Sequence, residues 1–303
     1  MKPANDFLIR DEQVFSGALS CRGCGWSLLV RHLASLLGPD TVYVLPASCF
    51  SIISGPYPLA ELKANVVHTL FAAAPATATG IRAALDRQGK TKTNVVVLAG
   101  DGGTFDIGLQ ALSGAAARSE NIIYIVNNNG AYMNTGIQTS TATPYGAVTT
   151  TNPGEGYKKS WPKDLMGIIA AHNLPYAATC SLAFMEDFRE KVTRTKNTEG
   201  FRLLMIDGPC PPGHKTEPGD SIHIARLAVE TRLFPLFEIV RQHYKLTYKP
   251  ESFLPVEECL KYQGRFRHLF REENKAMLED IQEHTDNTWN RLLALEKLAN
   301  VIA

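Results

Sequence analysis

Thr93-Asn-Val-Val-Val-Leu-Ala-Gly100-Asp-Gly-Gly103 and, one segment later, Asn121-Ile-Ile-Tyr-Ile-Val-Asn127-Asn-Asn-Gly130 decide how this chain folds. Each is an unbroken apolar run of strand length, rich in β-branched residues, as expected of a strand covered on both faces in a parallel sheet. Between them, Ile107 to Arg118 shows helical apolar spacing, so the stretch reads strand, helix, strand with polar residues at both strand ends. Ligands of such sheets lie beyond the carboxyl ends of the strands, which makes Asp101 and the Asn127–Asn129 run the first candidate site.

Working outward, Thr41 to Leu45, Ala177 to Thr179 and Phe201 to Asp207 read as further strands. Trp26 to Leu37, Pro75 to Asp86, Leu165 to His172 and Met185 to Lys196 read as helices, and residues 1–27 as an extended lead-in with a tight turn at Cys21-Arg-Gly-Cys-Gly25. This alternation predicts an α/β fold, a doubly wound parallel sheet with helices on both faces. Ala131 to Pro162 has no periodicity and exceeds an ordinary connection, so it is expected to be a functional loop or one ordered by a ligand. Beyond Ile222 the chain turns helical and charged, with a break at Lys249 to Pro255 and a last helix over Glu272 to Val301. The expected division is a domain over 1–240, holding all candidate site residues, and a helical extension over 241–303.

The composition is that of a globular protein: 303 residues, 45% hydrophobic and 20% charged. With 31 basic and 30 acidic residues there is no electrostatic footprint for nucleic acid. Lys2, Asp6, Arg10, Asp11 and Glu12 interrupt any apolar export signal, and no run approaches the roughly 20 residues of a membrane span. A cytoplasmic protein is expected, with no membrane partner. In such a reducing compartment the six cysteines read as metal ligands, redox groups or core residues, not as a disulfide framework.

A hard dication such as Mg2+ takes oxygen ligands and shares them with a phosphate. Asp101 after one strand and an asparagine after its neighbour can supply two, while Gly100, Gly102 and Gly103 admit an anion to the backbone and the next helix N-terminus favours it. The bland alternative is a turn and a polar loop. The second candidate site is Cys21-x-x-Cys24 with Cys49 and Cys210, four thiolates that suit zinc or an iron-sulfur cluster equally by softness and geometry. Each lone cysteine also has a reading as a buried apolar residue.

Gly100-Asp101-Gly102 followed at this distance by asparagines resembles the binding motif of thiamine diphosphate enzymes. The resemblance implies the thiamine diphosphate-binding fold and Mg2+ held by Asp101, by one asparagine of the run, with Asn129 favoured, and by the carbonyl of Ala131. The ordered set of Cys21-Arg-Gly-Cys24-Gly25, Cys49, Gly-Asp-Gly, Ala131-Tyr-Met-Asn-Thr-Gly-Ile-Gln138, Thr143-Pro-Tyr-Gly146 and Pro209-Cys210-Pro-Pro-Gly213 is similar to the beta subunit of 2-oxoacid:ferredoxin oxidoreductases, the pyruvate enzymes above all. The similarity extends from about residue 15 to 270. It implies a 4Fe-4S cluster on Cys21, Cys24, Cys49 and Cys210, and structural roles for Cys180 and Cys259.

The implied reaction is oxidative decarboxylation of a 2-oxoacid to acyl-CoA and CO2, with electrons passing through the cluster to ferredoxin or another redox subunit. An alpha subunit would complete the site. Asn134 matches an active-site asparagine of the family; its other reading is a turn residue. His68 is expected to be a hydrogen-bonded core histidine without a catalytic role. Ala72-Ala73 stand where many members carry Glu-Asn, and His214 replaces a frequent aromatic residue. The first departure opens the substrate to larger or aromatic 2-oxoacids such as phenylglyoxylate besides pyruvate. A non-oxidative thiamine decarboxylase or carboligase and a zinc-stapled scaffold subunit are the competing functions.

Overall fold

A computed structural model describes residues 9, 11–56 and 58–302, the last four without their side chains. Of the lead-in expected over residues 1–27, residues 1–8 and 10 lie outside the described residues. In chain order the elements are α1 (Gly25–Leu37), β1 (Thr41–Pro46), α2 (Cys49–Ile53), β2 (Asn65–Thr69), α3 (Ala74–Arg87), β3 (Asn94–Gly100), α4 (Leu109–Ala117) and β4 (Ile123–Asn128). Then follow α5 (Leu165–Ala170), β5 (Tyr176–Ser181), α6 (Met185–Asn197), β6 (Arg202–Asp207), α7 (Pro211–His214), α8 (Ser221–Glu230), β7 (Phe237–Val240), β8 (His243–Leu246), α9 (Glu257–Leu260) and α10 (Lys275–Ile302).

The strands form one eight-stranded sheet in the order β2-β1-β3-β4-β6-β5-β7-β8. Alternate residues of the apolar strands enter two different cores. Val95, Val97 and Ala99 of β3 pack with α3, α4, α5 and, through Trp289 and Leu292, α10. Val96 and Leu98 pack with α1, α2 and α6 on the other face. A strand buried on both faces must be apolar at every position, and that is the pattern β3 and β4 carry. The chain leaves β1 for β2 on one side and returns to β3 on the other, so the topological switch lies between β1 and β3, with Cys49 and Asp101 at its rim.

The sheet is not wholly parallel. β7 pairs antiparallel with β5, and β8 antiparallel with β7. The turn between them, Arg241-Gln242, has φ of 46° and 70°, a conformation that Asn-Gly or Gly usually advertises and two long side chains conceal. The boundary expected at 240/241 falls within this hairpin, and α10 contributes to the same core as the sheet. β2 also departs from expectation: it is an edge strand, and His68, paired in register with Leu45, is exposed there, not a core histidine. No helix among the described residues is long and apolar enough to cross a membrane.

Candidate active site

β3 and β4 are in register at Gly100 and Asn127, so the residues that follow them emerge side by side. Asp101 is 1% exposed, and its Oδ2 accepts a hydrogen bond from Ser140 Oγ at 2.6 Å. The side-chain amide of the buried Asn129 lies 2.8 Å from Asp101 Oδ1 and 2.9 Å from the Ala131 carbonyl. With its nitrogen turned toward them the amide donates to both. With its oxygen turned toward them it completes three oxygens around one point, a set that only a cation makes favourable. Burial pushes the Asp101 carboxyl up to about 7 despite the Ser140 hydrogen bond, so a positive partner is what would keep it ionised. The expected Mg2+ ligands are therefore adjacent, and among Asn127, Asn128 and Asn129 it is Asn129 that meets Asp101. His214, neutral because of its burial, donates from Nε2 to the Asn129 carbonyl at 2.8 Å.

Cys49, Gly100, Asp101, Gly102, Gly103, Asn129, Ala131 and Asn134 line one small cleft, with Trp26 and Phe71 beside them. Its volume is about 70 Å3, well below the roughly 300 Å3 at which small-molecule sites begin, so this chain forms one wall of a larger site. The glycines differ in what they permit. A Cβ on Gly102 would lie 2.4 Å from the Tyr132 ring, which stacks over the backbone there, whereas Gly100 and Gly103 have only ordinary contacts. Tyr132 donates to Asp106 Oδ2 at 2.7 Å and so caps the glycine motif, the face an anion was expected to approach. The following helix also begins differently from the expected Ile107 start: a π-turn over Gly102–Asp106 precedes α4. Such turns recur at functional sites.

The segment 131–162 is ordered by its own polar groups. Lys158 is 6% exposed, and its Nζ donates to the carbonyls of Ser140, Thr141 and Thr143 at 3.2, 3.2 and 2.6 Å. Burial lowers its pKa to about 8. Thr143 Oγ1 donates to the Gly130 carbonyl at 2.7 Å, tying the loop to the end of β4. Ser140 and Lys158 were not legible as site residues, since each is one polar residue in a loop full of them.

The cysteines come from separate segments. Cys21 and Cys24 form a turn closed by the Cys24 amide on the Cys21 carbonyl at 3.1 Å. That turn needs Gly23, with φ of 72° and the Pro218 carbonyl where a Cβ would be. Cys49 opens α2 beyond β1, and Cys210 precedes α7 beyond β6. Burial pushes Cys24 up to about 11 and Cys49 up to about 12; the charges of Cys210 and Cys21 add to both. Cys24, Cys49 and Cys210 each feel the charge of Cys21. Among the described residues no three His, Cys, Asp or Glu side chains converge as a single-ion site requires. A cluster differs in that each of its irons takes one thiolate, so the sulfurs surround it without meeting at one point. Cys180 and Cys259 are fully buried, consistent with structural roles. Glu61, missed from sequence, is buried near Cys24 with Oε2 unpartnered, and burial raises its pKa to about 7.

Residues 49–206 match the family described as thiamine pyrophosphate enzyme, C-terminal TPP binding domain. Fold and match together define a thiamine pyrophosphate-binding protein. The chain is 45% identical over 285 residues to pyruvate synthase subunit PorB of Methanothermobacter thermautotrophicus, across 93% of this chain and 98% of that one. It is 43% identical over 302 residues to ketoisovalerate oxidoreductase subunit VorB of Pyrococcus horikoshii, across 96% and 94% of the two chains. A 2-oxoglutarate:ferredoxin oxidoreductase from Magnetococcus marinus, solved with 2-oxoglutarate, coenzyme A and succinyl-CoA bound, shares the fold with a TM-score of 0.59 at 21% identity, across 73% of this chain and 81% of that one. This chain belongs to the family of beta subunits of 2-oxoacid:ferredoxin oxidoreductases, and it is a subunit of an oxidoreductase.

Proposed function

We propose that this chain works with an alpha subunit in the coenzyme A-dependent oxidative decarboxylation of a 2-oxoacid, holding Mg2+ and thiamine diphosphate at Asp101 and a 4Fe-4S cluster on Cys21, Cys24, Cys49 and Cys210. The observation that supports this reading is that Asp101, Asn129, Ala131 and Cys49 line one cleft, so the oxygens proposed for Mg2+ and one thiol proposed for the cluster share a wall. Asp101, Asn129 and the Ala131 carbonyl would hold Mg2+. When bound, the thiamine cofactor supplies an electron sink for decarboxylation, and the cluster accepts electrons one at a time.

The chain's own residues do the rest. Ser140 aims the Asp101 carboxylate, His214 fixes the Asn129 backbone, and Lys158 holds the Ser140 loop in place. Asn134 is exposed at the cleft, available to a substrate oxygen. Leu70, next to the cleft residue Phe71, is 80% exposed, which suits a site completed by a partner subunit. Relatives at 45% and 43% identity are named for pyruvate and for ketoisovalerate, so overall similarity does not choose the substrate. Ala72-Ala73 favour a larger apolar 2-oxoacid such as ketoisovalerate or phenylglyoxylate over pyruvate. The electron acceptor is a ferredoxin-like protein or a further redox subunit. The test is a rate comparison on the complex purified anaerobically, across pyruvate, branched-chain, dicarboxylic and aromatic 2-oxoacids with coenzyme A. One preferred apolar substrate supports the reading; turnover of none contradicts it.

A further inference from the structure

A second hollow of about 530 Å3 lies at the same edge of the sheet, with Asn129 on the wall between it and the cofactor cleft. Its volume falls in the range of small-molecule sites. Its floor is the region of β4, β5 and β6 where Asn128, Thr179 and Asp207 stand, and its cover is drawn from the segment running from α8 to α10. Ile224, Leu260, Phe266 and Ile281 give it apolar walls.

Two charged side chains line this hollow without an ion pair among the described residues. Arg265 is 8% exposed and uses only Nε, which donates to Gln263 Oε1 at 3.0 Å; its two terminal nitrogens have no hydrogen bond among the described residues. Burial lowers its pKa to about 10, which leaves it charged at neutral pH. Asp207, at the end of β6, also lacks a hydrogen-bond partner for its carboxyl among the described residues; burial raises its pKa to about 7 against the opposing charge of Arg265, so a cationic partner is what would keep it ionised. It keeps reachable surface although it is deep in the protein, as a group on a cavity wall does. Buried charges are ordinarily paired, so an unpaired cation and an unpaired carboxyl on one cavity call for a ligand that satisfies both.

We propose that this cavity binds an α-amino acid with an apolar side chain, its carboxylate on the Arg265 guanidinium, its ammonium on Asp207 and its side chain among Ile224, Leu260, Phe266 and Ile281. Guanidinium and carboxylate match as a two-pronged hydrogen-bonded pair. A plain carboxylic acid leaves Asp207 unsatisfied and a plain amine leaves Arg265 unsatisfied; joining both groups to one carbon satisfies the two. The inference does not depend on the proposed cofactors.

The test is titration calorimetry on the complete purified protein with L-phenylalanine, L-leucine, 3-phenylpropionate and phenethylamine. At least one amino acid is expected to bind saturably at one site per chain, at least about tenfold tighter than either half-molecule, a difference of about 1.4 kcal/mol. Arg265→Gln weakens that binding more than tenfold, and Asp207→Asn removes the preference over 3-phenylpropionate. Ala228→Phe fills the hollow without touching either charge and abolishes binding while the circular dichroism spectrum stays unchanged; it decides the matter if Arg265→Gln does not fold. Failure of both amino acids to bind, equal affinity for 3-phenylpropionate, or undiminished binding by Ala228→Phe overturns the proposal. No readout involves thiamine diphosphate, so either proposal can fail without the other.

Discussion

The Asp101 site and the cysteine site share an edge of the sheet and are held in opposite ways. Asp101, Asn129 and Ala131 follow two adjacent strands and are fastened from above by Ser140 and Lys158. The cysteines come from a turn docked on Pro218, a short helix beyond β1 and a loop beyond β6, and Cys21 is exposed. The first is a site the fold builds before any ligand arrives. The second is a set of thiols, of which Cys24, Cys49 and Cys210 are raised in pKa by burial, that the proposed cluster would have to deprotonate and draw together. The difference teaches where each kind of damage will be felt: locally in the first, and across the joined segments in the second.

The strongest way to break this comparison is a reciprocal pair of substitutions. Asp101→Ala should weaken Mg2+-dependent thiamine diphosphate binding by more than about 100-fold, beyond the 10- to 100-fold typical of groups behind a ligand, and leave cluster absorbance intact. Cys49→Ser should remove cluster absorbance and leave thiamine diphosphate binding within about threefold, read by fluorescence titration. Loss of both cofactors from either folded variant would show that the two sites are one.

Lys158→Met sharpens the claim that the first site is prebuilt. Removing a buried ammonium from three carbonyls should cost about 3 kcal/mol in urea unfolding and speed hydrogen exchange over residues 139–144. Unchanged exchange there would mean that the loop does not depend on it.

Glu61 tests the strain at the cysteine side. Its folded pKa of about 7 lies above the ordinary 4.5, so the native protein keeps this proton longer than the unfolded chain does. The stabilising share of the protonated carboxyl is therefore complete below about pH 4.5, is lost between about pH 4.5 and about 7, and is absent above. Glu61→Gln should stabilise the cluster-free protein by up to about 3 kcal/mol at pH 8 and by much less at pH 5, in parallel urea titrations. An equal effect at both values would remove the burial argument. The smallest expected effect is that of Ser140→Ala, about 1–2 kcal/mol in stability and about tenfold in Mg2+ affinity, by the loss of one hydrogen bond to a carboxylate.

The parts of the molecule open to sequence reading were those where one residue type has one physical use. Val95 to Ala99 must be a strand covered on both faces, and Asp101 and Asn129 then fall at the strand ends without further information. β2 was hidden because an edge strand exposed along most of its length carries no two-sided apolar pattern, and the β7–β8 hairpin because Arg241-Gln242 conceal the turn. Ser140, Lys158, Glu61 and Arg265 gain their significance only from burial among distant neighbours, which no local pattern encodes. Gly102 was expected to admit an anion to the backbone; in the structure the group that crowds it is the Tyr132 ring.

The most direct test of the central claim is the measurement of iron, acid-labile sulfide and thiamine diphosphate in the anaerobically purified complex. The account predicts thiamine diphosphate close to one per copy of this chain, and about four irons and four sulfides that disappear with Cys49→Ser. Zinc in place of iron, or iron and sulfide unchanged by Cys49→Ser, would contradict it.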